Sequence, residues 1–559
     1  MQKKRAPTCL WMTLPMWLTA ACSESVVHPS ETASRDCLAV VQTTRGPVRG
    51  DALGQACAWR GIAFAQPPVG DLRFAPPHTP EPWDTAIDGK LYRSDCEQGE
   101  GFLAGRDPDE DCLYLNVYAS TEVPKDPADR RPVMVFIYGG GFVSGGASSP
   151  LYAGDQLAAH GVVVVTINYR LGPLGYLASE QLQADQGVDN LGNMGLLDQI
   201  AALQWVQDEI AAFGGDPGNV TIFGESAGAI SVCALVNAPG AHGLFHAAIM
   251  ESGFCSAGSR AEIGAKADSW IASTGCDVSS PSTSECLHAL DLTQMARDYP
   301  YSMQSGNYPA VDGSTLPLQP MESMRQGRAA PVPMIIGYNH DEVKVAGLVP
   351  EFWRIREQSF AQFYAENSTI FTSAELATLR ALYPAADYAN PLEMGVDIID
   401  DIAFACQAQD AAMAMASHDH PVYVYEFGLG KNAFALEPYV GSFHGLEIPF
   451  VFGTYDIIGT FYSDRRGVEQ MLELSQRMQR YWTRFAATHD PNGGADLTWP
   501  QFAPQDAVLL LTPTPAVATR YRTERCEFWR SRAPEAFGER LDYISHIATQ
   551  GRGGLPGFE

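Results

Sequence analysis

The chain lacks any pair of cysteines at C-x-x-C spacing among its twelve, which argues against a zinc site or a thioredoxin-like centre. Positive charge is scarce. Lys and Arg number 37 against 65 Asp and Glu, a formal charge of −28, and that balance argues against nucleic acid or an anionic membrane surface as a partner. Beyond residue 36 there is no internal repeat, no low-complexity stretch and no linker long enough to separate two domains. No later apolar run is long enough to read as a transmembrane helix. What is present is 559 residues, 46% of them hydrophobic, ample for one large core.

The N-terminus reads as a targeting segment. Lys3, Lys4 and Arg5 form a basic region, Leu10 to Leu18 a short apolar one, and Thr19-Ala20-Ala21-Cys22 follows,. Small residues before a cysteine resemble a bacterial lipoprotein cleavage site, which makes Cys22 a candidate lipid anchor. Thr19 stands where leucine is usual, so ordinary signal cleavage nearby is the alternative. Residues 1–22 are therefore expected as a signal peptide, 23–36 as a polar, flexible tether, 37–540 as a single domain and 541–559 as a tail that is Gly-rich from Gln550 and lacks a hydrophobic anchor,. An exported protein, secreted, periplasmic or lipid-anchored, is expected, and twelve cysteines are compatible with disulfides in an oxidising compartment.

Apolar, β-rich runs alternate with helical stretches. Residues 132–138 (PVMVFIY), 161–168 (GVVVVTIN), 220–223, 246–250, 332–337 and 422–426 (VYVYE) read as buried strands,. Between the second and third, residues 195–213 place Leu196, Leu197, Ile200, Leu203, Trp205, Val206 and Ile210 at the spacing of a helix packed on a sheet. This alternation predicts an α/β fold, a mostly parallel central sheet with helices on both faces. Residues 38–73 carry short strands and Gly/Pro turns suited to antiparallel additions at one edge. The stretches 255–330 and 345–420 read as helical insertions forming a cap.

The segment Val220 to Phe223 runs into Gly224-Glu225-Ser226-Ala227-Gly228 and then into small, helix-forming residues. A G-x-S-x-G between strand and helix is the nucleophile elbow of the α/β-hydrolase fold. The serine needs a turn so sharp that Oγ stands out above the sheet, and the flanking glycines let strand and helix approach. Upstream, Gly139-Gly140-Gly141-Phe142 follows directly on the strand PVMVFIY. With the Ala227 N–H, the Gly140 and Gly141 N–H groups would form an oxyanion hole. A phosphate-cradling loop is the rival reading, but no Gly-Lys-Ser/Thr follows and the dinucleotide spacing is absent; a purely structural turn is the other.

A nucleophilic serine requires a base and an orienting acid, in the order Ser, acid, His for this fold. His444 stands out, between Ser442 and Gly445 and shortly after the strand VYVYEF. His418 and His420 flank Asp419 in a polar turn that reads as solvated, and His340 lies too close to the acid candidates. Asp341 and Glu342 both follow the strand VPMIIGYN, and the residues alone favour neither.

Taken together, the motifs resemble the type-B carboxylesterase/lipase family, which includes the cholinesterases. The matches run from about Val41 to about Trp529: GIAFAQPPVG (61–70), EDCLYLN (110–116), the GGGF loop, Gly195 through Asp198-Gln199 to Trp205, GGDP (214–217) leading into FGESAG, NHDE (339–342) and HGLEIPFVFG (444–453). The resemblance implies that Glu342 is the triad acid beside Ser226 and His444. It also implies disulfides Cys96–Cys112, Cys276–Cys286 and Cys406–Cys526. Cys37 and Cys57 are candidates for an extra pair, Cys233 reads as a buried thiol in the helix after the serine, and Cys255 has no assigned partner.

One departure bears on substrate. Cholinesterases carry a tryptophan inside the loop closed by the first disulfide, whereas here that loop, 97–111, contains Phe102 and no tryptophan. Capture of a quaternary ammonium is strongest on Trp, so the resemblance points to a general carboxylesterase acting on small-molecule esters. Glu225 and Phe142 are candidate pocket residues; Glu225 is read either as a source of negative potential or as a hydrogen-bonded structural carboxylate. No metal or organic cofactor is required by this chemistry. Amide or thioester hydrolysis by the same triad, and a non-catalytic cholinesterase-like adhesion module, are the alternatives.

Overall fold

The computed structural model describes residues 32–99, 103–124, 129–186, 192–280, 282–292, 295, 306–345, 355–430, 440–455, 465–532, 539 and 543–544. The expected signal peptide with Cys22, the tether up to residue 31, Phe102 and most of the tail lie outside the described residues.

Eleven strands form the central sheet: β1 (Asp51–Leu53), β2 (Ala56–Ala63), β3 (Tyr114–Ser120), β4 (Arg131–Ile137), β5 (Val163–Ile167), β6 (Gly215–Glu225), β7 (Ala247–Glu251), β8 (Met334–Asn339), β9 (Val422–Phe427), β10 (Val508–Leu511) and β11 (Ala516–Ala518). Their spatial order is β11-β10-β9-β8-β7-β6-β4-β5-β3-β2-β1. From β5 across to β10 every pairing is parallel. β1 to β3 and β11 are the antiparallel additions at the two edges. The parallel strands are apolar and buried through the middle of the sheet, as in VVVTI of β5 and in β6 from Val220 to Phe223, because helices cover both faces of such a sheet and leave no side for polar residues.

Helix α1 (Met194–Glu209) lies between β5 and β6 in the chain, and α2 (Ala227–Asn237) between β6 and β7. A buried ion pair anchors α1. Arg170 Nε and Nη2 donate to the two Asp198 oxygens at 2.8 and 2.7 Å, and the Arg170 N–H adds a third bond at 3.0 Å. Gln199 Nε2 then reaches Ser231 Oγ at 3.0 Å, joining α1 to α2. The later insertion is helical, with α3 (Pro391–Asp400) and α4 (Cys406–Ala416) separated by one π-helical turn, 401–405. Two further helices are α5 (Arg465–Thr488) and α6 (Thr523–Arg530).

Among the described residues five disulfides are formed: Cys37–Cys57, Cys96–Cys112, Cys233–Cys255, Cys276–Cys286 and Cys406–Cys526. The third corrects the reading of Cys233 as a free thiol and gives Cys255 its partner: the loop leaving β7 turns back over α2 and brings the two sulfurs together. A second correction concerns the tether. Its last residues are tied to the domain, with Thr32–Ser34 paired antiparallel to Glu122–Pro124. Arg35 holds that strand in place. Its N–H donates to the Thr121 carbonyl at 2.7 Å, its Nη1 to the Phe213 carbonyl at 2.7 Å, and its guanidinium lies over the Trp59 ring.

Candidate active site

Strand β6 ends at Glu225 and α2 begins at Ala227, so Ser226 alone makes the turn. Its backbone sits at φ 57°, ψ −122°, a region sparsely populated by non-glycine residues and strained by about 1–3 kcal/mol. A Cβ on Gly228 would overlap the Ile137 carbonyl oxygen of β4. The glycine after the serine is therefore required by close approach of α2 to the sheet. The Ser226 N–H is tied to the Glu251 carbonyl of β7 at 2.9 Å.

The loop after β4 lies against this turn: a Cβ on Gly139 would come within 2.7 Å of Glu225 Oε2 and 2.9 Å of Ser226 Cβ. Gly140 has φ 114°, which side-chain-bearing residues rarely adopt. Among the described residues the N–H groups of Gly140, Gly141 and Ala227 find no hydrogen-bond acceptor. For Ala227 the cause is its place as the first residue of α2, where N–H groups have no partner inside the helix. Phe142 behaves differently from a pocket wall. Its side chain is fully buried and packs edge-on against Tyr176, with ring centroids 5.0 Å apart.

The segment after β8 supplies the acids. Glu342 is buried, its Oε2 lies 2.7 Å from His444 Nδ1, and its Oε1 accepts the Asn339 N–H at 2.7 Å. The neighbouring Asp341 faces elsewhere, accepting the Ser442 N–H at 3.0 Å and pairing with Lys344 at 3.3 Å. The His444 N–H also donates to the Glu342 carbonyl at 3.0 Å, so backbone and side chain together fix the imidazole on that carboxylate. Its Nε2 stands 3.3 Å from Glu225 Oε1. Three other late histidines are committed elsewhere: His340 to Glu426 at 2.8 Å, His418 to the Arg325 carbonyl at 3.1 Å and His489 to Asn219 at 3.1 Å.

Three buried glutamates beyond Glu342 crowd this region. Glu225 and Glu251 are directly opposite in the β6–β7 register. Glu251 Oε1 accepts the Trp482 Nε1 proton from α5 at 2.6 Å, and Glu447 accepts from Ser252 Oγ at 2.9 Å and from Asn339 Nδ2. Burial pushes all three carboxyls up in pKa, each further raised by a neighbouring carboxylate. Burial would lower the His444 pKa, but the Glu225 and Glu342 charges outweigh it and hold the imidazole above its ordinary value,.

Glu251, Ser252, Trp482 and Phe404 lie in no motif that the sequence singles out, and Glu447 lies within HGLEIPFVFG without a role read from it. The Phe404 ring, on the π-helical turn between α3 and α4, packs on the His444 ring with centroids 5.4 Å apart. A cavity of about 1040 Å³ opens beside the acid segment, lined by residues that include His340, Asp341, Asp400 and Arg522. It does not include Ser226 or His444, so its size does not mark it as the place of the chemistry. Among the described residues no cluster of His, Cys, Asp or Glu could hold a metal ion.

A parallel sheet with helices on both faces, a serine on a strained strand-to-helix turn and a carboxylate-bound histidine after β9 define a hydrolase of the α/β-hydrolase fold. The comparisons specify which one. The family model described as "Carboxylesterase family" matches residues 38–529, and the chain belongs to that family; it is a carboxylic ester hydrolase. It is 35% identical over 482 residues to the para-nitrobenzyl esterase of Bacillus subtilis, covering 83% of this chain and 92% of that protein. It is also 35% identical over 538 residues to the medium-chain fatty acyl-CoA hydrolase precursor of Anas platyrhynchos, covering 89% and 93%. The solved structure of a Geobacillus stearothermophilus carboxylesterase superposes with a TM-score of 0.75 at 32% identity, over 88% of this chain and 99% of that one.

Proposed function

We propose that the protein is an exported serine carboxylesterase in which Ser226 attacks the ester, His444 moves the proton and Glu342 orients the imidazole. The observation that carries this reading is the 2.7 Å contact of Glu342 Oε2 with His444 Nδ1, while Nε2 of the same ring lies 3.3 Å from Glu225, the residue before the strained serine. With Nδ1–H donated to the carboxylate, Nε2 is the nitrogen left to take the Ser226 proton as Oγ attacks the carbonyl carbon. The free N–H groups of Gly140, Gly141 and Ala227 suit the oxyanion that develops. The imidazolium then protonates the leaving alcohol, and water repeats the sequence on the acyl-enzyme.

Glu225, 3.3 Å from Nε2, faces the nitrogen that carries the transferred proton and stabilises the imidazolium. Choline esters are not the preferred class, because the 97–111 loop has no tryptophan to stack on the ammonium. Five disulfides support an oxidising compartment, in keeping with the N-terminal targeting segment. A second reading, thioester hydrolysis by the same groups, is favoured by the relative named for fatty acyl-CoA hydrolysis.

A panel of esters, thioesters and anilides run beside Ser226→Ala tests both readings. The expected result is turnover of simple esters that the variant abolishes, with a phosphonate inhibitor attached to Ser226 by mass spectrometry. A label on a different serine, or full activity in Ser226→Ala, refutes the assignment. Thioester turnover exceeding ester turnover selects the second reading.

A further inference from the structure

The loop that leaves β7, residues 251–255, touches the segments that carry all three residues of the proposed triad. The Glu251 carbonyl holds the Ser226 N–H at 2.9 Å, and the Ser252 N–H donates to the Gly337 carbonyl of β8 at 2.8 Å. Ser252 Oγ donates to Glu447, three residues after His444, at 2.9 Å. Glu447 in turn accepts from Asn339 Nδ2, which also donates to the Phe443 carbonyl at 2.9 Å. The Asn339 N–H binds Glu342 Oε1 at 2.7 Å. A small displacement of this loop is therefore felt at the nucleophile, the acid and the histidine together.

The loop is under conformational stress. Ser252 has φ 53°, costly for a residue with a side chain, and a Cβ on Gly253 would overlap the Ala229 side chain of α2. Hydrogen bonds hold Ser252 in that conformation from the β8 and Glu447 sides. On the remaining side the chain is fastened covalently: Cys255, at the end of the loop, is bonded to Cys233, two turns into α2 from Ser226. Both cysteines are buried, away from solvent and reductant. The link runs from the helix that starts at the nucleophile to the loop whose carbonyl holds that nucleophile's N–H.

We propose that the Cys233–Cys255 disulfide is a positioning element for the reaction, fixing the 251–255 loop so that Ser226 and the Glu447–Asn339 contacts keep their reactive geometry. The inference rests on the reading of Ser226 as the nucleophile. Without the cross-link the loop relaxes from its positive-φ turn, the Glu251 carbonyl withdraws from the Ser226 N–H, and Oγ loses its fixed direction. Displacements of about 1 Å in reacting groups cost up to about 100-fold in rate.

The test compares wild type with Cys233→Ala/Cys255→Ala, with Cys233→Ala/Cys255→Val, which refills the sulfur volume with apolar atoms, and with Cys37→Ala/Cys57→Ala as a control at the distant antiparallel edge. Each is assayed for kcat and KM on a simple ester, for the rate of phosphonate attachment to Ser226, and for melting temperature. The expected result is a fall of about tenfold in kcat and a parallel fall in the phosphonylation rate in both Cys233/Cys255 variants. KM should stay within about twofold, and the control should lose melting temperature without losing either rate. A wild-type kcat and phosphonylation rate in whichever Cys233/Cys255 variant folds, at lowered melting temperature, overturns the proposal and leaves the bond purely stabilising. A phosphonate label away from Ser226 in the wild type overturns instead the reading on which it rests.

Discussion

Glu342 and His444 are joined twice, through Oε2 to Nδ1 at 2.7 Å and through the Glu342 carbonyl to the His444 N–H at 3.0 Å. The backbone contact survives a change of side chain, so Glu342→Gln keeps the ring near its place while losing the charge that selects the tautomer. We expect kcat to fall by orders of magnitude, about 10⁴-fold by the serine-protease precedent. Asp341→Asn, whose carboxylate serves Ser442 and Lys344, should change kcat far less. The opposite ranking in steady-state kinetics refutes the division of labour.

Glu225→Gln removes the first of the two charges that raise the His444 pKa. A cation that loses a neighbouring anion gives up its proton more easily, so the base form of His444 is reached at lower pH. The acidic limb of the kcat/KM profile should move down in pH relative to wild type. A limb that stays in place or moves up shows that Glu225 does not act on the imidazole.

The Cys406–Cys526 bond closes a loop of 120 residues, and its removal should cost on the order of 4–5 kcal/mol in the chain-entropy account. It joins α4 to α6 beside Arg522, whose guanidinium meets Asp397, Asp401 and Glu426. Denaturant unfolding of Cys406→Ala/Cys526→Ala measures the loss. An unchanged midpoint would leave the pairing intact and the energetic argument wrong.

Asp198→Ala leaves Arg170 buried with its charge unpaired, since both side chains are almost fully shielded from solvent. Breaking one partner of such a pair costs about 3–5 kcal/mol. The same denaturant measurement should show that loss, and a change below about 1 kcal/mol would mean that water reaches the guanidinium.

Much of this architecture is legible in the residues because local physics dictates it. Runs such as VVVTI cannot be exposed and are too short for helices, so β5 and its neighbours declare themselves, and the elbow announces Ser226 through glycines that close packing demands. His444 is legible from its place after a late strand. The choice of Glu342 over Asp341 is not, because adjacent residues differ only in where the chain turns them. The Cys233–Cys255 bond and the Glu251, Ser252 and Glu447 contacts escape for a related reason: each is a meeting of segments distant in sequence and carries no repeating signal. The pairing of Thr32–Ser34 with Glu122–Pro124 is hidden likewise, since three polar or small residues have no periodicity to read.

The order of the sheet carries a consequence for engineering. Ser226, Glu342 and His444 follow the ends of β6, β8 and β9, three positions within four adjacent strands. The chain between those strands is long: β7 ends at residue 251 and β8 begins at 334, β8 ends at 339 and β9 begins at 422. Closing a longer surface loop adds little entropy cost, and such loops accept replacement more readily than strands do. Segments grafted into either connection, away from the 252–255 loop, Glu342 and the Phe404 turn, would change which molecules are admitted while the strand ends stay in register, so the scaffold separates what is recognised from the groups proposed to cleave it.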